Sequence, residues 1–569
     1  MSSRTALLAQ SPLFKVVSAH LPHDERVQLS YKRAIAIGRA YQLTADDIVN
    51  TTPKFWELQR DPIIPMDGAA GTLLSIHLNL CIGTFARYAV SRPDMTSALN
   101  RLLNFELFDL SGQFCLTEIG HGLDARHLET TATVLADGSI DLHTPNERAA
   151  KHMPPTSPCG IPTMAVVFAR LLVNGEDRGI RPFSVLLHDG YNMNQGITCK
   201  LMTPRGSSVP VNHCLTYFNH VRLPSTALIA HSEKGQDTRH DFFDHVYRII
   251  VGAIAIAGMC LSSIKMGLYV AARYSQRRMV TDAFNGKLTP ILSFPTQQYP
   301  ILSTLAQSVV FESFIKDTLR LFNDKSLSLT MHHCVAAIAK ATLVKHCAAS
   351  LITLGDRCGA QGIFEVNQFS VQYADLRGAA IAEGEVLGLS VRFAVEILIG
   401  RIKLPKSRYP DSLLSRHETS IFQELRGALS TRFKHHRDPE FQALVLPQCQ
   451  ALIEAVGHRM AYDAAIADGV DERVLDMFVA SAIREDRAWY AEVGGVSRAE
   501  QVELERKAMK ALLPCLDALL EGLQIEKYCH APIISEERWQ RYVDGLPTFM
   551  SVDAPTSDSY DRQLIRAML

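Results

Sequence analysis

The sequence is short of the features that assign a chain quickly. Its 569 residues carry 58 lysines and arginines against 59 aspartates and glutamates, a net charge of −1. There is no basic stripe and no charged tail, so nucleic-acid partners are excluded. Twelve cysteines include no Cys-x-x-Cys pair and no regular spacing, which excludes a disulfide framework or a zinc ribbon and suits a reducing compartment. His332, His333 and Cys334, and the pair Cys529 and His530, lack further ligands at metal spacing, so no metal is expected. Also missing are a Gly-x-Ser-x-Gly elbow, a phosphate loop and a Gly-x-Gly-x-x-Gly turn. The N-terminus has no charged leader before an apolar core, and the last four residues, Arg566, Ala567, Met568 and Leu569, are not a Ser-Lys-Leu address. One run, 249–270, is strongly apolar. Its Gly, Ala and Ser residues and Lys265 suit close packing in a helix bundle, and no membrane span is expected.

What is present begins with 113–131, QFCLTEIGHGLDARHLETT. Gly120 and Gly122 permit close backbone approach to a planar or phosphorylated ligand, and Thr117 offers a hydroxyl and an amide at the end of a short strand. The same residues also fit a plain tight loop. A second stretch, 374–385 or ADLRGAAIAEGE, sets Glu383 among Ala and Ile. A carboxylate held in apolar surroundings has a raised proton affinity and is a candidate general base. The alternative is an acid that merely complements a helix N-terminus.

The pattern divides the chain into four. Residues 1–109 are helical, with apolar spacing over 24–41, a cap at Thr44, a glycine-containing helical stretch at 65–88 and a core His77. Residues 110–230 alternate with period two around turns at Asp137-Gly138 and Asn174-Gly175, predicting an antiparallel β domain. Residues 231–403 return to helix, with four long segments at 242–278, 301–322, 330–355 and 385–402. The first two are separated by Asn285-Gly286 and by Pro290, Pro295 and Pro300. Residues 404–569 form a further helical domain with amphipathic stretches at 417–434, 439–460 and 497–523, and a loop-like tail after Pro547.

The segment from Thr117 to Gly122, followed by Leu128-Glu129-Thr130-Thr131-Ala132, resembles the flavin loop of the acyl-CoA oxidases within the acyl-CoA dehydrogenase superfamily. The resemblance implies a mainly α protein: a helical N-domain, a barrel-like antiparallel β domain, a four-helix bundle and an extra C-terminal helical domain. It also implies FAD, bound through Thr117, Gly122, Thr156, Arg278, Gln298 and Gly359. Arg278 would meet pyrophosphate charge and Gln298 would donate to the cofactor, contacts that the family makes partly across a homodimer interface. Glu383 matches the catalytic base of the family's Glu-Gly-acid motif, and the implied reaction is α,β-desaturation of an acyl-CoA with transfer of electrons to oxygen, giving hydrogen peroxide. Three departures stand out. The family's GGHGY loop is Gly359-Ala360-Gln361-Gly362-Ile363, Phe294-Pro295 replaces Phe-Gln, and Met153-Pro154-Pro155-Thr156 stands where a tryptophan is usual. They leave open a dehydrogenase-like enzyme on an unusual biosynthetic substrate, or a catalytically silent binding subunit. The family implies a peroxisomal place, and a cytoplasmic one fits the lack of an address.

Overall fold

A 31-residue helix, Tyr247–Arg277, is the spine on which the other layers pack. Its apolar residues run right round the cylinder, as expected of a helix enclosed by protein on most sides. The computed structural model describes residues 4–89, 92–432 and 435–549. The spine packs against Pro295–Phe322 and Leu329–Arg357, with Phe369–Ile381 and Val386–Leu398 completing the bundle. Phe369–Ile381 is a helix that the pattern did not predict. Pro295 takes the first helical position, where its missing N–H costs nothing, and Pro300 lies inside that helix rather than ending it.

The N-terminal region is helical as predicted. His23–Tyr41 forms one helix, and Thr44 closes a capping box with Asp47. Gly68–Ser75 continues through a π-helical turn, Ile76–Ile82, into Gly83–Ala89. His77 is core: it bonds the Leu102 carbonyl and accepts from the Gly112 amide, and burial pushes its pKa down to about 4.

The β region comprises β1 (Ser111–Cys115), β2 (Thr131–Val134), β3 (Ile140–His143), β4 (Lys151–His152), β5 (Thr163–Val173), β6 (Glu176–His188), β7 (Ile197–Leu201), β8 (Cys214–Phe218) and β9 (Val221–Leu223). The order β1-β5-β2-β3-β9, with β6 beside β5, makes one sheet, and β4-β8-β7 makes another. Both predicted hairpins form, with Gly138 at φ +80°, Asn174 at +51° and Gly175 at +80°. Most pairs are antiparallel, but β1 and β2 each run parallel to β5. Period-two alternation fixes which face is buried and is silent on strand direction, so the mixed sheet was beyond it.

Three helical stretches, Gly68–Ala89, Tyr247–Arg277 and Leu329–Arg357, are long and apolar enough to cross a membrane by length and composition. Each has 78% of its most apolar window buried within the protein. Cys449–Ala467 and Glu472–Glu485, C-terminal to the bundle, pack on Pro295–Phe322. Residues 550–569, which hold most of the predicted tail and the chain end, lie outside the described residues.

Candidate active site

Glu383 sits between Phe369–Ile381 and Val386–Leu398, in the left-handed region at φ +56°, followed by Gly384 at +95°. Although the residue is partly exposed, its Oε2 is buried and has no hydrogen-bond partner. The space it fills is made by Gly252 on the spine: a Cβ there would stand 1.2 Å from Oε2. Burial raises the carboxyl's pKa, while the charges of Lys340 and Arg248 pull it the other way. A carboxylate so placed combines high proton affinity with enough nearby positive charge to reach its ionised form. Among the described residues, the amides of Glu383 and Gly384 donate no hydrogen bond. They are the kind of donors that a developing enolate oxygen requires.

Lys340, fully buried on Leu329–Arg357, donates to the Ala382 and Gly384 carbonyls and so clamps the backbone on both sides of Glu383. Burial lowers its pKa. Arg248, also buried, donates from Nε to the Asn79 carbonyl at 3.0 Å and from Nη1 to the Ile48 carbonyl at 2.9 Å. Asn79 lies in the π-helical turn and returns the contact through Nδ2 to the Arg248 carbonyl at 3.0 Å. Arg248 Nη2 and Asn79 Oδ1 are buried without partners. Such orphaned groups beside an orphaned carboxylate oxygen are costly in a core and characteristic of a site that completes itself on a ligand. Sequence reasoning missed Lys340, Arg248, Asn79 and Gly252. The available signal was a lone Lys within the apolar run 334–344.

Glu385 takes the helix-terminal role that was the alternative reading for Glu383. It caps Val386–Leu398 and accepts from the Leu387 and Gly388 amides at 2.9 and 2.7 Å.

The Thr117–Gly122 loop is anchored by its acid. Glu118 is fully buried, accepting from the Glu129 and Thr130 amides at 2.7 and 3.0 Å, from the Thr130 hydroxyl at 2.6 Å and from Lys151 Nζ at 2.9 Å. Lys151 is fully buried too and also donates to the Leu116 and Phe168 carbonyls. The pair is enclosed and well bonded, the condition under which removing one partner is strongly destabilising. Thr117 is half-buried, its carbonyl accepting from the His152 amide. Gly122 is exposed, and a Cβ on it would meet no protein atom within 4 Å. The loop reaches the Glu383 region: a Cβ on Gly388 would lie 3.6 Å from Leu123 Cδ2.

Thr156 needs correcting as a cofactor contact. It is fully buried, its hydroxyl pairs with that of Thr216 at 2.6 Å, and its amide donates to the Pro154 carbonyl. Its hydrogen-bonding groups are therefore turned into the second sheet.

Arg278, Gln298 and Gly359 gather at one end of the bundle, where Gln297 donates to the Ser275 hydroxyl at 2.8 Å and to the Arg357 carbonyl at 3.0 Å, tying three helix ends. Arg278 is exposed and has no side-chain hydrogen bond or ion pair among the described residues. Gln298 is half-buried and donates to the Ser293 carbonyl at 3.3 Å. Gly359, at φ +60°, is exposed with no atom within 4 Å of a Cβ. At 1.5 Å per residue, Lys340 and Arg357 are about 25 Å apart along their helix, so this group is remote from Glu383 within one chain.

Among the described residues, neither cysteine-histidine group gathers further ligands. His333 packs against Phe243 and Phe393 and meets Arg392, and His530 pairs with Gln10.

Residues 248–398 match the family model of the acyl-CoA oxidase C-alpha1 domain. The chain is 30% identical over 273 residues to peroxisomal acyl-coenzyme A oxidase 1 of Arabidopsis thaliana, covering 45% of this chain and 40% of that protein. It is 27% identical over 394 residues to acyl-coenzyme A oxidase 1 of Yarrowia lipolytica, covering 62% and 56%. The match spans about four-tenths of the length of the first curated relatives, 42% and 41%. The solved structure of the Yarrowia lipolytica oxidase 1 superposes with a TM-score of 0.81 at 18% identity, covering 100% of this chain and 92% of that one. Acyl-CoA oxidase-1 of Caenorhabditis elegans, complexed with FAD and ATP, gives 0.78 at 16%, covering 99% and 93%.

Proposed function

We propose that the chain is a member of the acyl-CoA oxidase and dehydrogenase superfamily, a reading supported by the match of residues 248–398 to the oxidase C-alpha1 domain, and that it carries out FAD-dependent α,β-desaturation of an acyl thioester, an acyl-CoA, with oxygen as electron acceptor and hydrogen peroxide as product. The observation that carries this reading is the buried, unpaired Oε2 of Glu383, whose carboxylate Lys340 and Arg248 face as cations. A catalytically silent subunit would have no need to keep an orphaned carboxylate oxygen in its core, where it costs stability.

The residues fit FAD. Gly122 and Gly359 leave open space where a side chain would intrude, and Arg278 presents a guanidinium without a partner among the described residues. Thr117, Gly122, Arg278, Gln298 and Gly359 would hold the cofactor, the guanidinium matching pyrophosphate charge. When bound, FAD supplies the acceptor for the hydride leaving the β-carbon. Glu383 removes the α-proton, and the amides of Glu383 and Gly384 stabilise negative charge growing on the thioester oxygen. Lys340 fixes the direction of the carboxylate by holding the carbonyls on either side of it.

A homodimer completes this reading. With Arg278, Gln298 and Gly359 about 25 Å along the bundle from the base, a cofactor touching Glu383 in one chain would take these contacts from a second copy. Ile363, Phe364, Phe284 and Leu288 are exposed near that end of the bundle, and they form apolar surface for the copy to cover. The three long apolar helices are read as core, not spans. Relatives with peroxisomal names support a peroxisomal place.

The test is anaerobic mixing of the purified yellow protein with a panel of acyl-CoAs while flavin absorbance is followed, then admission of air. Bleaching by one of them and recovery in air support the proposal. Protein from which heat releases no FAD, or which no acyl-CoA bleaches, contradicts it. Light scattering that finds a monomer with full FAD content and activity would remove the dimer.

A further inference from the structure

Away from Glu383, two histidines and an aspartate meet where the β region hands over to the bundle. Asp241 and His245 lie one turn apart on the helix Thr238–His245, and His231 lies on the preceding connection. His245 Nε2 is 3.4 Å from Asp241 Oδ1, His231 Nε2 is 4.0 Å from the same oxygen, and the three donor atoms all lie within 4.8 Å of one another. His245 is 2% exposed, and its Nε2 is buried with no hydrogen-bond partner, although it faces the other two groups.

We propose that His231, Asp241 and His245 bind one borderline-soft divalent metal ion of the zinc class, with a water molecule as fourth ligand. Two imidazole nitrogens and one carboxylate oxygen are a donor set for such an ion and a poor one for magnesium or calcium, which take oxygen. Two ligands about 2.05 Å from a tetrahedral ion stand about 3.4 Å apart, the separation already present between His245 and Asp241. His231, half-exposed, can close the remaining gap by a side-chain rotation and leaves the fourth position open to solvent.

The surroundings orient each ligand. Arg181, fully buried on β6, holds Asp241 Oδ2 at 2.9 Å and so turns Oδ1 toward the imidazoles. The same guanidinium donates to the His231 and Glu233 carbonyls at 3.1 and 2.6 Å, fixing the backbone that carries His231. Tyr88 and His245 share a 2.7 Å hydrogen bond at Nδ1, which leaves Nε2 as the metal-facing nitrogen. Partners of this kind commonly hold metal ligands in place. The ion would clamp the connection to the helix that leads into Tyr247, and no catalytic step is assigned to it.

The test uses the full-length protein, FAD included, freed of metal with a chelator and exchanged into clean buffer. Zinc is then titrated calorimetrically and cobalt by visible absorption. The wild type is expected to bind one ion per chain, with cobalt giving the bands of a tetrahedral site, and zinc is expected to raise its melting temperature. His231→Ala removes an exposed side chain and leaves Arg181 and Asp241 paired, so it should fold, bind at least about tenfold more weakly and lose the zinc-dependent shift. A wild type with no saturable one-to-one binding, or a His231→Ala protein that binds zinc as the wild type does, would overturn the proposal.

Discussion

Gly252→Ala separates the fold from the chemistry more sharply than any change to the base itself. In the middle of a helix, alanine is favoured over glycine by about 0.5–1 kcal/mol, so the substitution on its own should stabilise the spine. The new methyl, however, would stand 1.2 Å from Glu383 Oε2 and 2.0 Å from its Cδ. Ordinary contact begins near 3.4 Å, so the carboxylate must retreat by about 2 Å, and a misplacement of even 1 Å can cost about a hundredfold in rate. The obstacle is the far end of a flexible side chain, so relief is cheap for the fold and expensive for proton abstraction. We expect a melting temperature at or above that of the wild type, unchanged FAD content, and anaerobic flavin reduction by acyl-CoA slowed at least about a hundredfold, roughly 2.7 kcal/mol of barrier. Stopped-flow reduction and thermal unfolding measured on the same preparation check both halves. Reduction at the wild-type rate would show that the base does not act from the space above Gly252.

Two further outcomes depend on pH. Lys340 lowers the pKa of Glu383 through its charge; because the proposed mechanism requires an ionised Glu383, Lys340→Met should move the acid limb of the reduction-rate profile to higher pH, and an unmoved limb would contradict the pairing. His346 and His458 share a buried 2.7 Å hydrogen bond between the bundle and the C-terminal helices, and burial lowers both, His346 to about 3. Below about pH 6.5 the unfolded chain takes up protons that the folded His346 refuses, so stability is full above that pH and falls as pH drops, by about 2 kcal/mol at pH 5 for this one group. His346→Gln should flatten the loss of denaturation midpoint between those two pH values, and an unchanged slope would contradict the assignment.

The parts legible in the sequence were those written in local pattern. The Asp137-Gly138 and Asn174-Gly175 hairpins follow from residues that tolerate positive φ, and the capping box at Thr44 from a hydroxyl three residues before an acid. Glu383 was legible as a carboxylate among small apolar residues, but not its left-handed backbone, which depends on how two helices meet. Gly252 reads as a helix-packing glycine until the carboxylate is seen above it. Lys340 gave only the signal of a charge in an apolar run, and Arg248 and Asn79 gave none, because their partners lie 169 residues away along the chain. The parallel pairing of β1 and β2 with β5 and the helix Phe369–Ile381 were missed for a similar reason: tertiary neighbours fix them. Thr156 was misplaced because a threonine beside two prolines does not reveal that Thr216, 60 residues on, takes its hydroxyl.

The most direct measurement is flavin reduction in Glu383→Gln beside Glu385→Gln. Glutamine keeps the size and most hydrogen bonding of Glu383 but cannot accept the α-proton, so this variant should keep its FAD, shift the flavin spectrum on binding acyl-CoA, and bleach on the order of a hundredfold to ten-thousandfold more slowly. Glu385→Gln alters a helix cap, which glutamine can still serve through its carbonyl, and should bleach at close to the wild-type rate. Wild-type bleaching in Glu383→Gln would contradict the account: if Glu385→Gln alone were slow, the base would be the other carboxylate, and if both were fast, no carboxylate of this motif would take the proton.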